Sequence, residues 1–186
     1  MNTTYTHKEP SLFPVVRNGV VYDILKIGDV SGASRCLAIT FSTGEPMAKS
    51  LGITEEEFLV FAEILCKRAV KEELSIIARC QKTDHIIGCC IAEDFTTEIL
   101  GDLKEINPNF IPIFALLNEL DEKYKKQHMI QKNEILHGLM LGVLKTYSRL
   151  DIGKNLTELV CALGKARGYK AAITEATSPI TQHMAI

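Results

Sequence analysis

Val143–Leu156 reads V-L-K-T-Y-S-R-L-D-I-G-K-N-L: the end of an apolar strand, a tight polar loop, and the opening of an amphipathic helix. A helix N-terminus carries unpaired N–H donors and about half a positive charge, which together favour phosphate groups. Gly153 lets the backbone approach an anion closely, and Arg149 and Lys154 add positive charge. A strand–loop–helix with one glycine is equally the form of a plain connection. Upstream, Ile135–Leu144 (ILHGLMLGVL) is a continuous apolar run, the pattern of a strand covered on both faces. Downstream, Leu156, Leu159, Val160, Leu163 and Ala166 fall on one side of a helix predicted over Gly153–Arg167, with Gly168 as its terminator. Tyr169–Ala176 (YKAAITEA) is the last predicted strand, expected to lie parallel to the strand before the helix.

The rest of the chain supplies a mixed set of elements. Val20–Ile27 is rich in β-branched residues and closed by Gly28-Asp29, hence a strand. Ala33–Phe41 has helical character and stops at Ser42–Pro46. Thr54 with Glu57 makes a capping box, and Phe58, Phe61, Ala62, Leu65, Cys66 and Ala69 extend that helix to about Val70. Leu74–Cys80 and His85–Ala92 are two short strands joined by Gln-Lys-Thr-Asp, an antiparallel hairpin. Ile111–Lys126 is helical behind Pro108 and Pro112. The mixture defines an α+β (mixed-sheet α/β) fold.

Composition narrows the function classes. The chain has 186 residues, a length that suggests one domain, and no repeat or low-complexity tract divides it. Its 21 Lys+Arg face 23 Asp+Glu without a basic run, which argues against sequence-independent nucleic-acid binding. No apolar run approaches the roughly 20 residues that span a bilayer. Met1–Pro10 is polar and lacks the apolar segment of a secretory signal. Six cysteines without a CxxC pair read as reduced, mostly buried thiols, and a cytoplasmic location is expected.

Val143, Tyr147 and Gly153 fall in register with Val-x-x-x-Tyr-[Arg/Gln]-x-x-Gly-x-[Gly/Ala], the motif that ends the fourth strand in the GNAT superfamily of acetyl-CoA-dependent N-acetyltransferases. The chain resembles that superfamily in its order of elements as well, over roughly residues 20–186, with 1–19 as an N-terminal extension. Gly44-Glu45-Pro46-Met47, the helical insertion near Phe114–Leu120 and the Thr/Ser cluster after the last strand look like the insect arylalkylamine N-acetyltransferase group. The resemblance implies a mostly antiparallel mixed sheet flanked by helices. It also implies acetyl-CoA as co-substrate and a small primary amine as acceptor. No His/Cys/Asp spacing matches a zinc site, so no metal is expected, and charge and hydropathy leave no nucleic-acid or membrane partner expected. Backbone groups of Leu141 and Val143 are then expected to pair with the pantetheine arm. Amides of Ser148, Arg149, Leu150, Asp151, Ile152, Gly153 and Lys154 are expected to hold the pyrophosphate. The acetyl group is expected where the fourth and fifth strands splay. An alkyl ammonium with a pKa near 10.4 must lose a proton before it attacks a thioester, so a general base is needed. The group's Glu-Pro motif assigns that role to Glu45, and its two hydroxyls map onto Thr177 and Thr181.

The chain departs from the motif at two places. Ser148 stands where Arg or Gln is usual, and Asp151 where the first glycine is usual. Two unit charges ~4 Å apart repel by about 1 kcal/mol in water and about 4 kcal/mol at an effective dielectric of 20. Asp151 also reads as an ordinary N-cap, whose carboxylate would occupy the amides a phosphate needs. A full domain of the superfamily continues into a helix and two further strands, for which Ser178–Ile186 is too short, so the domain reads as C-terminally incomplete. The last strand is then an exposed edge that invites a homodimer, an expectation that sedimentation over a concentration range checks. A non-catalytic binding module with a degenerate CoA loop is the alternative reading. Glu45, taken alone, sits in a polar turn; His137 reads as a hydrogen-bonded core histidine or an acceptor-site residue. Cys89 and Cys90 alternate faces and belong to the core.

Overall fold

Six strands form one sheet in sequence order: β1 (Val15–Arg17), β2 (Val20–Ile24), β3 (Ile76–Cys80), β4 (Ile86–Asp94), β5 (Ile135–Val143) and β6 (Ala171–Ile173). The computed structural model describes residues 12–98 and 107–184. Neighbouring strands are antiparallel except β5 and β6, which are parallel, as the strand–helix–strand reading requires. The α+β class and the mostly antiparallel mixed sheet are therefore as expected.

The described residues form six α-helices: α1 (Val30–Gly44), α2 (Pro46–Ser50), α3 (Glu55–Glu72), α4 (Ile111–Gln127), α5 (Ile152–Ala166) and α6 (Pro179–Met184). The Thr54 hydroxyl accepts from Glu57 N–H at 3.2 Å, and the Glu57 carboxylate accepts from Thr54 N–H at 2.8 Å, so the predicted box starts α3. On one face of the sheet, Leu37 of α1, Phe58, Phe61 and Leu65 of α3, and Phe110 just before α4 pack on Ile77, Cys89 and Ile91. On the other face, Leu156, Leu159, Val160 and Leu163 of α5 pack on Tyr22, Ile76, Ile87, Cys90 and Leu136. Cys89 and Cys90 thus enter opposite cores, as their alternation predicts. Among the described residues no helix is long and apolar enough to cross a membrane.

Three local expectations are corrected. The segment read as an extension contributes β1, joined to β2 by Asn18-Gly19 with φ of +49° and +74°, the backbone of a type I′ hairpin turn. The helix expected to stop at residues 42–46 runs on to Gly44, and Glu45 alone separates it from α2, because Pro46 fits the first turn of α2. The last strand shrinks to three residues, since only Ala171–Ile173 pair with Ile135–His137 before the chain turns away.

Candidate active site

That short pairing creates the first feature of the site. β5 runs nine residues, yet β6 accompanies only its first three, so among the described residues the β6-side edge from Gly138 to Val143 has no strand partner. Leu141 and Val143 lie on this open stretch. Opposite, the β4–β5 register shifts between Ile91, which faces Met140, and Ala92, which faces Gly138. Leu139 is the extra residue, and a bulge of this kind re-aims side chains.

β5 then turns into α5 through Arg149 (φ +69°) and Asp151 (φ +55°). Asp151 occupies the N-cap position but does not act as a cap. Its backbone is left-handed, and its carboxylate accepts none of the helix amides. The expected plugging of the helix start by Asp151 is therefore overturned: a cap side chain needs an extended backbone to reach back over the first turn. Asp151 serves the helix only through its carbonyl, which accepts Asn155 N–H at 2.8 Å. Asn155 is itself clamped, donating to the Tyr22 hydroxyl at 3.1 Å and accepting from Arg17 at 2.5 Å. The first-turn amides of Ile152, Gly153 and Lys154 thus keep their donors at the positive end of a 15-residue helix.

An aromatic cavity of about 600 Å³, counting the space at its mouth, lies on the α1/α3 side of β5. Phe41, Phe58, Phe61, Phe110 and Phe114 form its walls, with neighbouring ring centroids 5.2–6.0 Å apart. Leu139 and Met140 of the bulge form part of its lining, and Glu45, Glu175 and Thr177 are its polar residues. Glu45 is only 9% exposed, which corrects its reading as a residue in a polar turn. It caps α2, with Oε2 accepting Ala48 N–H at 2.6 Å, while Oε1 is buried and has no protein partner. The structure brings Glu45 and Thr177 together in this cavity. It does not bring Thr181 to the lining: the Thr181 hydroxyl shares a 2.6 Å hydrogen bond with Ser178 at the start of α6.

Beside the cavity sits a charged cluster that sequence reasoning found only in part. His137 of β5 is 2% exposed, and its Nε2 lies 2.7 Å from Glu175 Oε2. Its Nδ1 lies 3.9 Å from Oε1 of Glu93, another buried carboxylate, whose Oε2 accepts from Arg68 at 2.6 Å. Asp121 of α4 completes the group, with one ligand-type atom each of Asp121, His137 and Glu175 within 4.8 Å of one another. Burial would lower the His137 pKa, but the hydrogen bond and charge of Glu175, with Asp121 and Glu93, outweigh it and hold the imidazole above its ordinary value. Burial pushes Glu175 the other way, and its bond to His137 wins, so its carboxyl stands below the usual range. Burial and the facing Glu175 charge push Asp121 up to about 6. No short-range metal spacing exists in the sequence, yet these three residues carry donors that could ligate a cation. Their separations of 16 and 38 positions hid them. The one available signal was Glu175, two residues beyond the strand partner of His137.

The chain's fold occurs in solved acetyltransferases. The chain superposes on arylalkylamine N-acetyltransferase 2 from Aedes aegypti with a TM-score of 0.75 at 23% identity, over 90% of this chain and 81% of that one. The C-terminal condensation domain of Ebony, solved with beta-alanyl-dopamine, matches with a TM-score of 0.80 at 19% identity, over 89% and 79% of the two chains. Drosophila melanogaster polyamine N-acetyltransferase matches with a TM-score of 0.69 at 17% identity, over 89% and 80%. The fold is that of the arylalkylamine-type GNAT acetyltransferases. No family model matches the sequence, and no curated protein matches it.

Proposed function

We propose that the protein is an N-acetyltransferase that moves the acetyl group of acetyl-CoA to a small primary amine by direct attack in a ternary complex. The observation that carries this reading is Glu45 Oε1. An unpartnered buried carboxylate oxygen costs on the order of 1–3 kcal/mol or more, a penalty that a folded chain tolerates where a ligand repays it. In the wall of an aromatic cavity, that oxygen suits a cationic amine, and Glu45 is the general base of the proposal. Thr177 supplies a hydroxyl to the same space.

The co-substrate fits the other half of the site. The open edge of β5 at Leu141 and Val143 offers main-chain groups to an amide-bearing arm, in the way a sheet edge takes an added strand. The turn from Arg149 to Lys154 offers amide donors to a diphosphate, with Arg149 and Lys154 adding charge. The Ser148 amide, expected to join them, is spent on the Lys145 carbonyl at 3.1 Å. Acetyl-CoA supplies the thioester; Glu45 takes the ammonium proton, and the cavity excludes competing water. The uncapped helix start removes the main support for a degenerate loop. Six unpaired cysteines support a reducing, cytoplasmic setting.

Release of CoA thiol, followed with acetyl-CoA and a panel of small primary amines, tests the proposal. Glu45→Gln keeps an oxygen to cap α2 but cannot take a proton. Its kcat at neutral pH should fall by roughly 10²–10⁴-fold at unchanged thermal stability. A variant that turns over like the wild type removes Glu45 as the base, and a wild type that acetylates no amine removes the activity.

A further inference from the structure

Acetyl transfer from a thioester to an alkyl ammonium does not balance without a proton outlet. The N–C bond forms, the C–S bond breaks and its electron pair goes to sulfur. Of the two protons nitrogen loses, one ends on the CoA thiol and one is surplus. Glu45 can take the surplus proton but must pass it on before the next turnover, from a cavity walled by five phenylalanines.

Glu175 and Asp121 offer the way out. Glu175 lines the aromatic cavity. Asp121 lines a second cavity, adjoining the first at Phe114 and Leu117 of α4, whose rim residues Glu98, Asn118 and Glu122 are exposed. The two carboxylates meet at His137, within 4.8 Å. From this geometry we infer that Glu175 and Asp121 form a proton relay joining the acceptor cavity to the surface, with His137 as the residue that positions Glu175. The inference rests on the acetyltransferase reading above.

Each member has a part in the relay. The proton released by Glu45 reaches the Glu175 carboxylate across the shared cavity, passes to the Asp121 carboxylate and leaves to water in the second cavity. His137 Nε2–H, donated to Glu175 Oε2, fixes that carboxylate at the junction. The groups facing this junction are Glu93 of β4 with Arg68 and Glu72 of α3 behind it, and Lys125 on the next turn of α4. Together they keep the site close to electrically balanced, so an added proton meets no large opposing charge.

The test uses the full chain with whichever amine the wild type acetylates. Asp121→Asn preserves shape and removes the carrier. Its kcat should fall on the order of 10²-fold, the low end of what a positioned proton carrier supplies, and the limb of the kcat–pH profile near pH 6 should disappear. Asp121→Glu should restore most of the rate. In Asp121→Ala, added formate should raise kcat in proportion to its concentration, a response that a merely structural residue would not give. An Asp121→Asn enzyme with wild-type kcat and an unmoved profile overturns the relay while leaving the acetyltransferase reading intact. A wild type that transfers no acetyl group overturns both. Activity lost on dialysis against a chelator and regained with Zn²⁺ overturns the relay in favour of a metal centre on the same three residues.

Discussion

Asp151 has a left-handed backbone and a carboxylate that bonds to no helix amide, so its two costs can be separated. The αL conformation costs an L residue roughly 1–2 kcal/mol, less for Asp than for most, and glycine adopts it without strain. The charge opposes a diphosphate by about 1 kcal/mol if it stays ~4 Å away in water, a factor of about five in affinity. Asp151→Gly should therefore raise thermal stability and tighten CoA binding about fivefold by calorimetry. A variant that gains stability with unchanged affinity would place the carboxylate away from the ligand. Glu45 carries the opposite lesson for reading a residue from sequence. Glu-Pro in a run of Ser, Thr and Gly looks solvated, and only tertiary packing of α1 and α3 buries it.

At the scale of elements, α5 can lie on the sheet only where the strands beneath it are bare. A Cβ on Gly88 of β4 would come 3.2 Å from Ile152 Cγ2, 3.3 Å from Leu156 Cδ1 and 3.2 Å from the Gly142 carbonyl. Gly88→Ala must therefore lift the N-terminal turn of α5 or shift β5. It should cost about 1–3 kcal/mol in denaturant unfolding, as overpacking does, and weaken CoA binding disproportionately, because the displaced turn is the one proposed to hold the diphosphate. Equal losses for CoA and for the acceptor amine would separate the helix from the diphosphate. The elements themselves were legible where local signals agreed: the Thr54 box, the apolar run of β5 and the one-sided α5 all lie where periodicity puts them. β1 was missed although Asn18-Gly19 announces a hairpin, because three residues carry too little pattern to read as a strand. The Asp121–His137–Glu175 group was illegible for another reason. Helix α4, strand β5 and the segment after β6 converge only through tertiary packing, and no spacing within one element encodes their meeting.

Shifted groups at the His137 junction and elsewhere in the molecule together set how stability depends on pH. Glu175 and Asp94 have lowered pKa values, so the stability they contribute is present above their unfolded values and is lost as pH falls through their folded ones. His137 is raised above 6.5, so its contribution is full below that pH and is lost as pH rises through the folded value. Asp121, raised from 3.8 to about 6, acts in the same direction as His137: folded chains hold its proton longer than unfolded ones, and stability declines as pH climbs through that window. At the alkaline end burial keeps Cys90 protonated to about 12 and Cys66 to about 11, so unfolded thiols ionise first and stability drops further. The Tm–pH curve should accordingly peak on the acid side of neutrality, between the unfolded carboxyl range and 6.5, and fall steadily above it. His137→Gln removes the charge that holds Glu175 and should flatten the descent between pH 6.5 and 8 while lowering the peak, as scanning calorimetry across that range would read. A wild-type curve that rises from pH 6 to 8 would mean that the imidazole is neutral in the folded protein, and that Glu175 is held by a neutral donor.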